Sequence, residues 1–462
     1  RNLYKTRRNL AEMKPKTTED PQNRIFQMRL ENMINMEHEL VLLSGKINWK
    51  EFEKKFGEVY IQDVGRPGLP TRLMVGLHYL KGLHDLSDEG VVEGFLENPY
   101  WQYFCGMEFF EHKLPLNSSS MTRWRKRVGS RGFETLLKET LETALSMNCL
   151  KQKDMLKVTI DTTVQEKNIT FPTDVKLYAK GTEILVREAK KAGIELRQSY
   201  TRTVPMLQRE NWLKNRGRKY KQAKACQRRL KTILGRTVRD ITRKATDDQL
   251  TGKLGKFLSM AEQVLNQKRE DKNKIYSYFE PETSCIAKGK IHKKYEFGAK
   301  ASIVTTQKGN WILGTTTYKG SPNDITTLSD SLDQVQQMTG CYPEEVYCDK
   351  GYRGKKVHEG LRCKVFIPGT KQKVTSAQKK RLKRRNAIEP VIGHLKEDHG
   401  MARNYLKGRI GDEINALMAS CGFNLKKLLK SLRAFLSQII TSLILVYLNQ
   451  NGKNQALQLG AI

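Results

Sequence analysis

The sequence predicts an α/β protein: a mixed sheet carrying a basic helical insertion, preceded by a helical N-terminal region. Three observations predict it. MLKVTIDTTVQ alternates apolar and polar residues as a half-buried strand does. Strand patterns return after residue 290, first as KYEFGAKASIVTT and WILGTTTYKG joined by QKGN, a hairpin signal centred on Gly309. Short strands EEVYCDKGYRG and KVFIPG then alternate with helical stretches, and between the first strand and the hairpin residues 205 to 275 read as helical and strongly basic.

Taken in order, IFQMRLENMINMEHELVLL reads as an amphipathic helix with Ile25, Met28, Met33, Met36, Leu40 and Leu43 on one side. RPGLPTRLMVGLHYLKGLHDLSDEGVVEGFLENPYWQYFCG follows as helix, turn, helix, with Pro67 and Pro70 at the start and Gly90 and Pro99 as breaks. In NSSSMTRWRKRVG, Ser118 to Ser120 offer N-caps, and the helix displays Arg123, Arg125, Lys126 and Arg127 around Trp124. Such a helix suits contact with duplex DNA, or a solvated basic face anchored by a core Trp124. In the insertion, Leu230, Ile233, Leu234 and Val238 form an apolar stripe, and Lys and Arg, Arg228 and Arg229 among them, fill the rest as a phosphate-tracking surface. SPNDITTLSDSLDQVQQMTG opens with a turn and a cap at Asp324. The expected domains are 1–150 (DNA binding and dimerisation), 151–430 (the sheet with its insertion) and 431–462 (a C-terminal helix or tail).

Charge narrows the partners. The 462 residues carry 83 Lys plus Arg against 49 Asp plus Glu, a formal net charge of +34. An excess of this size favours a polyanion, and nucleic acid before membrane. The most apolar stretch, AFLSQIITSLILVYL, is shorter than the roughly 18 apolar residues of a membrane span and is interrupted by Gln438, Thr441 and Ser442. It reads as a buried helix or a self-association face. The eight cysteines form no CxxC pair, which argues against a zinc ribbon and for reduced thiols in a cytoplasmic protein. No signal peptide is recognisable, and the chain opens on Arg1 rather than Met, so its natural start is expected upstream.

The chemistry is expected at three acids. Asp161 and Asp349 each end a predicted strand, where α/β sheets collect reactive groups. Glu389 lies on a later helix, RRNAIEPVIGHLKEDHG, in which Ile388, Val391, Ile392 and Leu395 recur at helical spacing. Arg385 precedes Glu389 by four residues and Lys396 follows by seven, about one and two turns, so the three share a face. The same spacing also fits a surface ion pair. An all-oxygen site suits Mg²⁺ or Mn²⁺, and two such ions serve an in-line phosphoryl displacement. Lys350, Arg353, Arg385 and Lys396 would balance phosphate charge. Two roles fit Trp311: a core residue of the hairpin, or a platform for a displaced base. Two roles fit His394 and His399, structural hydrogen bonding or contact with phosphate or water, and Asp398 reads as too far along the helix to be a ligand.

These pieces resemble a known family. VTIDTT around Asp161, HKKYEFGAKASIVT, YKGSPNDITTL, YCDKGYRG around Asp349, the stretch from Arg385 to Gly408 and the helical LMVGLHYLKGLHDLSDEGVVEGFLENPYWQYFCG are similar to bacterial insertion-sequence DDE transposases. The resemblance is to the group that includes insertion-sequence families four and five, closest to family five, and spans most of residues 65 to 430. It implies an RNase H-like catalytic domain in which Asp161, Asp349 and Glu389 bind two divalent ions. The family's Tyr, Arg, Glu, Lys spacing is met by Arg385, Glu389 and Lys396, while Leu382 stands at the Tyr position. It further implies cleavage at the element's ends, attack of the freed 3′-hydroxyl on target DNA, and a homodimer holding double-stranded terminal repeats. A nuclease without strand transfer and a DNA-binding protein without chemistry are the rival readings; the intact acids count against the latter.

Overall fold

The computed structural model describes residues 28–57, 68–113, 116–287, 294–354, 358–370 and 374–459, with side chains as far as residue 434. Its N-terminal part is helical: α1 (Glu39–Ser44), α2 (Trp49–Gly57), α3 (Thr71–His84), α4 (Asp88–Glu97), α5 (Pro99–Phe104) and α6 (Ser118–Ser146). Caps set the boundaries. The Ser87 hydroxyl accepts from the Gly90 amide, and the Asn98 and Asn117 side chains accept from the first-turn amides of α5 and α6. The cap of α6 is thus Asn117 rather than a serine. Gly129, at φ 66°, bends α6. The expected single helix over residues 25 to 43 is broken: Leu30–Met33 is one short turn, and α1 starts only at Glu39. Leu40 and Leu43 are buried, Met28 and Met33 are exposed, and Ile25 and Pro67 lie outside the described residues. Methionines offered only to solvent cannot hold a helix to a core.

One mixed sheet organises the remainder. β1 (Lys157–Lys167) runs antiparallel to β3 (Tyr295–Thr306), whose far edge is shared by β2 (Ser284–Ala287) and β4 (Ile312–Tyr318). On its other edge β1 pairs in parallel with β5 (Glu345–Tyr347), followed by β6 (Lys364–Phe366). Further along that edge Glu166 and Lys167 pair with β7 (Arg403–Asn404). The β3–β4 turn uses Gly309 and Asn310, both at positive φ. Two strands, β2 and β7, had no clear signal in the sequence, because such short segments are fixed by pairing rather than by their own pattern.

The two faces of the sheet are covered differently. Val158, Ile160, Val304 and Val346 join one continuous core with the N-terminal helices, with α11 (Leu328–Thr339) and with α14 (Gly408–Leu459). On the other face Ala301, Ile303 and Ile312 pack with Val391 and Leu395 of α13 (Ile388–Glu397) and with Ala416 and Ala419 of α14. A basic helix, α12 (Ser376–Arg384), leads into α13 through a 3₁₀ turn at Arg385–Ala387. Helices α3 and α14 cross with backbones touching: a Cβ at Gly82 would lie 2.7 Å from the Met418 carbonyl oxygen, and one at Gly422 would lie 2.1 Å from that of Gly82. Side chains of the apolar C-terminal stretch beyond residue 434 lie outside the described ones. Among the described residues no helix is long and apolar enough to cross a membrane.

The insertion begins earlier than its charge suggests. It comprises α7 (Asp174–Lys191), α8 (Thr203–Arg216), α9 (Tyr220–Lys244) and α10 (Lys253–Asn266). These helices have a core of their own, in which Leu185, Leu230, Leu234, Ile241 and Val264 are buried. Lys167, with a side chain 3% exposed, ties the end of β1 to the segment that returns from the insertion and to the start of α14. Its ammonium lies 3.2 Å from Glu280 and 2.9 Å from Asp412, and it donates to the Leu406 and Gly408 carbonyls. A charge so deeply buried persists only because every donor position is matched.

Candidate active site

Register places two of the acids together. Thr159 pairs with Tyr347 across the parallel strands β1 and β5, and Asp161 and Asp349 each stand two residues beyond that pair. Asp161 is not at the end of its strand, as expected, since β1 continues to Lys167. It stands where β5 has stopped and β7 has not begun, beside an open stretch of edge. Asp349 caps the 3₁₀ turn Lys350–Tyr352, accepting from the Gly351 amide at 2.8 Å. Burial, then the Asp349 and Asp324 carboxylates, raise the Asp161 carboxyl to about 6 against the opposing pull of the Thr162 amide and Arg385.

Glu389 approaches from the helix. Asp161 lies opposite Ile303 in the β1–β3 register, and cross-strand partners share a face of the sheet. Ile303 packs in the cluster that contains Val391 and Leu395 of α13, so this helix covers the face that carries Asp161. Glu389 is exposed in the first turn of α13. It does not close the group: among the described residues no three His, Cys, Asp or Glu side chains stand close enough to hold a metal ion.

The donor chemistry nevertheless fits a hard divalent cation. Asp161 and Asp349 offer carboxylate oxygens whose mutual repulsion a cation would relieve. The turn after Lys350 runs close to the carboxylates: a Cβ at Gly351 would lie 2.6 Å from Asp324 Oδ2 and 3.1 Å from Asp349 Oδ1. Arg385 brings positive charge to the same place. It acts on Asp161, its Nη2 donates to Asn386 Oδ1 at 2.8 Å, and among the described residues its buried Nε finds no hydrogen-bond partner. A buried, unsatisfied guanidinium N–H beside carboxylates suits an anionic substrate oxygen.

The remaining expected contacts divide. Lys350 is exposed at the mouth of the site, and Lys396 is half-buried on α13. Arg353 is exposed with its Nη2 near the Pro368 and Gly369 carbonyls, each at 3.4 Å. Arg123 and Lys126 face solvent, Arg127 is half-buried, and Arg228 and Arg229 are exposed on α9. Arg125 is a correction. It is 4% exposed, and its guanidinium takes both Asp88 oxygens, with Lys81 beside them at 3.1 Å. Trp124 is buried with it. Trp311 is a second correction: it is 4% exposed in the hairpin beneath the Lys427 ammonium, 4.7 Å from its ring, and no base can stack there. His394 pairs with Asp398, and His399 is buried against the Gly82 carbonyl.

Close to the acids, Asp324 and Lys300 form a contact that the sequence did not announce. Asp324 is no helix cap: its Oδ1 accepts from Thr162 Oγ1 at 2.7 Å and lies 2.5 Å from Lys300 Nζ. The signal was in the sequence, in GAKASIVT and SPNDITTL, but an Asp after Asn reads locally as a turn. Away from the acids, a cavity of about 870 Å³ opens between the insertion and the far end of β1. Lys176, Lys180, Arg187 and Lys407 line it with Tyr200 and Tyr405.

Comparison with known proteins fits this geometry. Residues 28–127 match the family described as Transposase domain (DUF772), and residues 266–425 match the family described as Transposase DDE domain. The second match includes Asp324, Asp349 and Glu389 and leaves Asp161 outside it. The chain belongs to the insertion-sequence DDE transposases. A curated relative, the uncharacterized protein ORF8 in the nfe locus of Rhizobium meliloti, is 54% identical over 190 residues, covering 41% of this chain and 91% of its own. No solved structure matches the chain. The mixed sheet, with β4, β3, β1, β5 and β6 in spatial order and β3 antiparallel to β1, is the arrangement expected of an RNase H-like DDE domain.

Proposed function

We propose that this transposase cuts DNA at the ends of its insertion sequence with a divalent cation, and joins the freed 3′-hydroxyl to target DNA. The observation that carries the reading is the register of Asp161 beside Asp349 under the helix that bears Glu389. Those three side chains are the proposed catalytic acids and cation ligands. Mg²⁺ or Mn²⁺, two per site, would polarise the scissile phosphate and ease deprotonation of the attacking water in cleavage, which releases the 3′-hydroxyl, and of that hydroxyl in joining. Arg385 binds a non-bridging phosphate oxygen through its unsatisfied Nε, with Lys350, Arg353 and Lys396 around it. The chain supplies position and charge, and no covalent enzyme intermediate is needed.

The helical region up to about residue 150 is proposed to bind DNA and to dimerise, through Arg123, Lys126 and Arg127. The insertion tracks phosphates through Arg228 and Arg229, and its cation- and aromatic-lined cavity suits a nucleic-acid strand. The closest assignment among insertion sequences is family five. The test is an assay on labelled duplex ends with and without Mg²⁺ or Mn²⁺. Metal-dependent nicks followed by joined product support the reading. Nicks that never join would favour a nuclease, and tight binding with no cutting would favour a DNA-binding protein without chemistry.

A further inference from the structure

We infer that Asp324 is a positioning residue of the catalytic centre, holding Asp161 in place through Thr162. The inference rests on the proposed role of Asp161. Asp324 opens the 3₁₀ turn that follows β4, far from Thr162 in sequence. The Thr162 hydroxyl donates to Asp324 Oδ1 at 2.7 Å, and the Thr162 amide donates to Asp161 Oδ1 at 2.7 Å. One residue therefore joins the two carboxylates: its side chain is fixed by Asp324, and its backbone orients Asp161.

The anchor is itself held. Lys300, on β3 and 11% exposed, lies 2.5 Å from Asp324 Oδ1 and donates to the Pro322 carbonyl at 2.7 Å. The ion pair with Lys300 fixes the oxygen of Asp324 that Thr162 uses. Its second oxygen faces Gly351, next to the Asp349 carboxylate. Asp324 thus braces the strand bearing Asp161 and abuts the turn bearing Asp349. A displacement of about 1 Å at a reacting group can cost on the order of a hundredfold in rate, which is the scale on which such a brace acts.

The experiment is end-nicking kinetics on the full chain, with thermal unfolding of each variant, and Asp161→Ala as the control. Asp324→Ala and Thr162→Val should each lower kcat about ten- to a hundredfold with KM for DNA unchanged, and the double variant should fall no further. Asp324→Asn keeps an acceptor for Thr162 and should recover most of the rate; Thr162→Ser should do so for Thr162→Val. The serine and valine pair carries the test if Asp324→Ala does not fold. Losses that multiply in the double variant, or Asp324→Ala cutting at the wild-type rate while Asp161→Ala is inactive, would overturn the inference. An active Asp161→Ala would instead overturn the role of Asp161, and this inference with it.

Discussion

Thr159 and Tyr347 face each other across the parallel strands β1 and β5, and that single pairing sets Asp161 and Asp349 side by side. A slip of one residue would turn Asp161 to the opposite face, toward the core that contains Ile160. The pairing covers only Lys157 to Thr159, so the sheet opens where the acids begin.

Asp161→Asn and Asp349→Asn are expected to remove nicking while leaving DNA affinity intact. Loss of an outer partner of a metal ligand costs roughly ten- to a hundredfold, and loss of a ligand should exceed that. Parallel measurements of nicking rate and of duplex affinity check this, and a variant that cuts near the wild-type rate would remove its residue from the centre.

Arg125 should prove structural. Arg125→Ala leaves Asp88, 14% exposed, without its bidentate partner, and breaking a buried pair costs about 3–5 kcal/mol. Burial opposes ionisation of Asp88, but hydrogen bonds from Arg125 and the charges of Arg125 and Lys81 outweigh it and bring its carboxyl down to about 2. A carboxyl depressed from its unfolded value near 3.9 stabilises the fold above that pH and loses the contribution as pH falls toward about 2. Thermal unfolding across pH 5 to 2 should show this step in the wild type and a smaller one in Arg125→Met, where Lys81 alone remains beside Asp88. A stable Arg125→Ala with selectively weakened DNA binding would contradict the assignment.

Trp311→Ala should likewise act on folding. Truncating a buried Trp costs about 3–5 kcal/mol, and here it also leaves Lys427 without the ring beneath it. Chemical denaturation should register the loss, whereas a fully stable variant with impaired strand handling would restore the stacking role.

Arg228 and Arg229 offer a test of the insertion. Replacing both by Ala should weaken duplex binding uniformly across sequences and make the plot of log affinity against log salt shallower by about two. An unchanged slope would mean that this face of α9 points away from DNA.

Much of this was legible in the sequence because it was local. The alternation in KVTIDTT and the helical spacing of Ile388, Val391 and Leu395 each encode an element and place an acid upon it, and the QKGN turn encodes the hairpin. What escaped was set by distant partners. Arg125 looked like a surface cation because Asp88, which turns it inward, lies on another helix. Asp324 read as a cap, and only folding brings it to Thr162. The insertion was recognised by its charge, so its less basic first helix, α7, went unnoticed although it contributes Ile184 and Leu185 to that core.

The most direct test of the central claim is cleavage by Glu389→Ala beside the wild type on the element's own labelled ends in Mn²⁺. Glu389 is the acid that the fold places on the helix over Asp161 and leaves exposed. The account predicts nicked and then joined product from the wild type, and none from the variant despite equal DNA binding. Cleavage by the variant at the wild-type rate would contradict it.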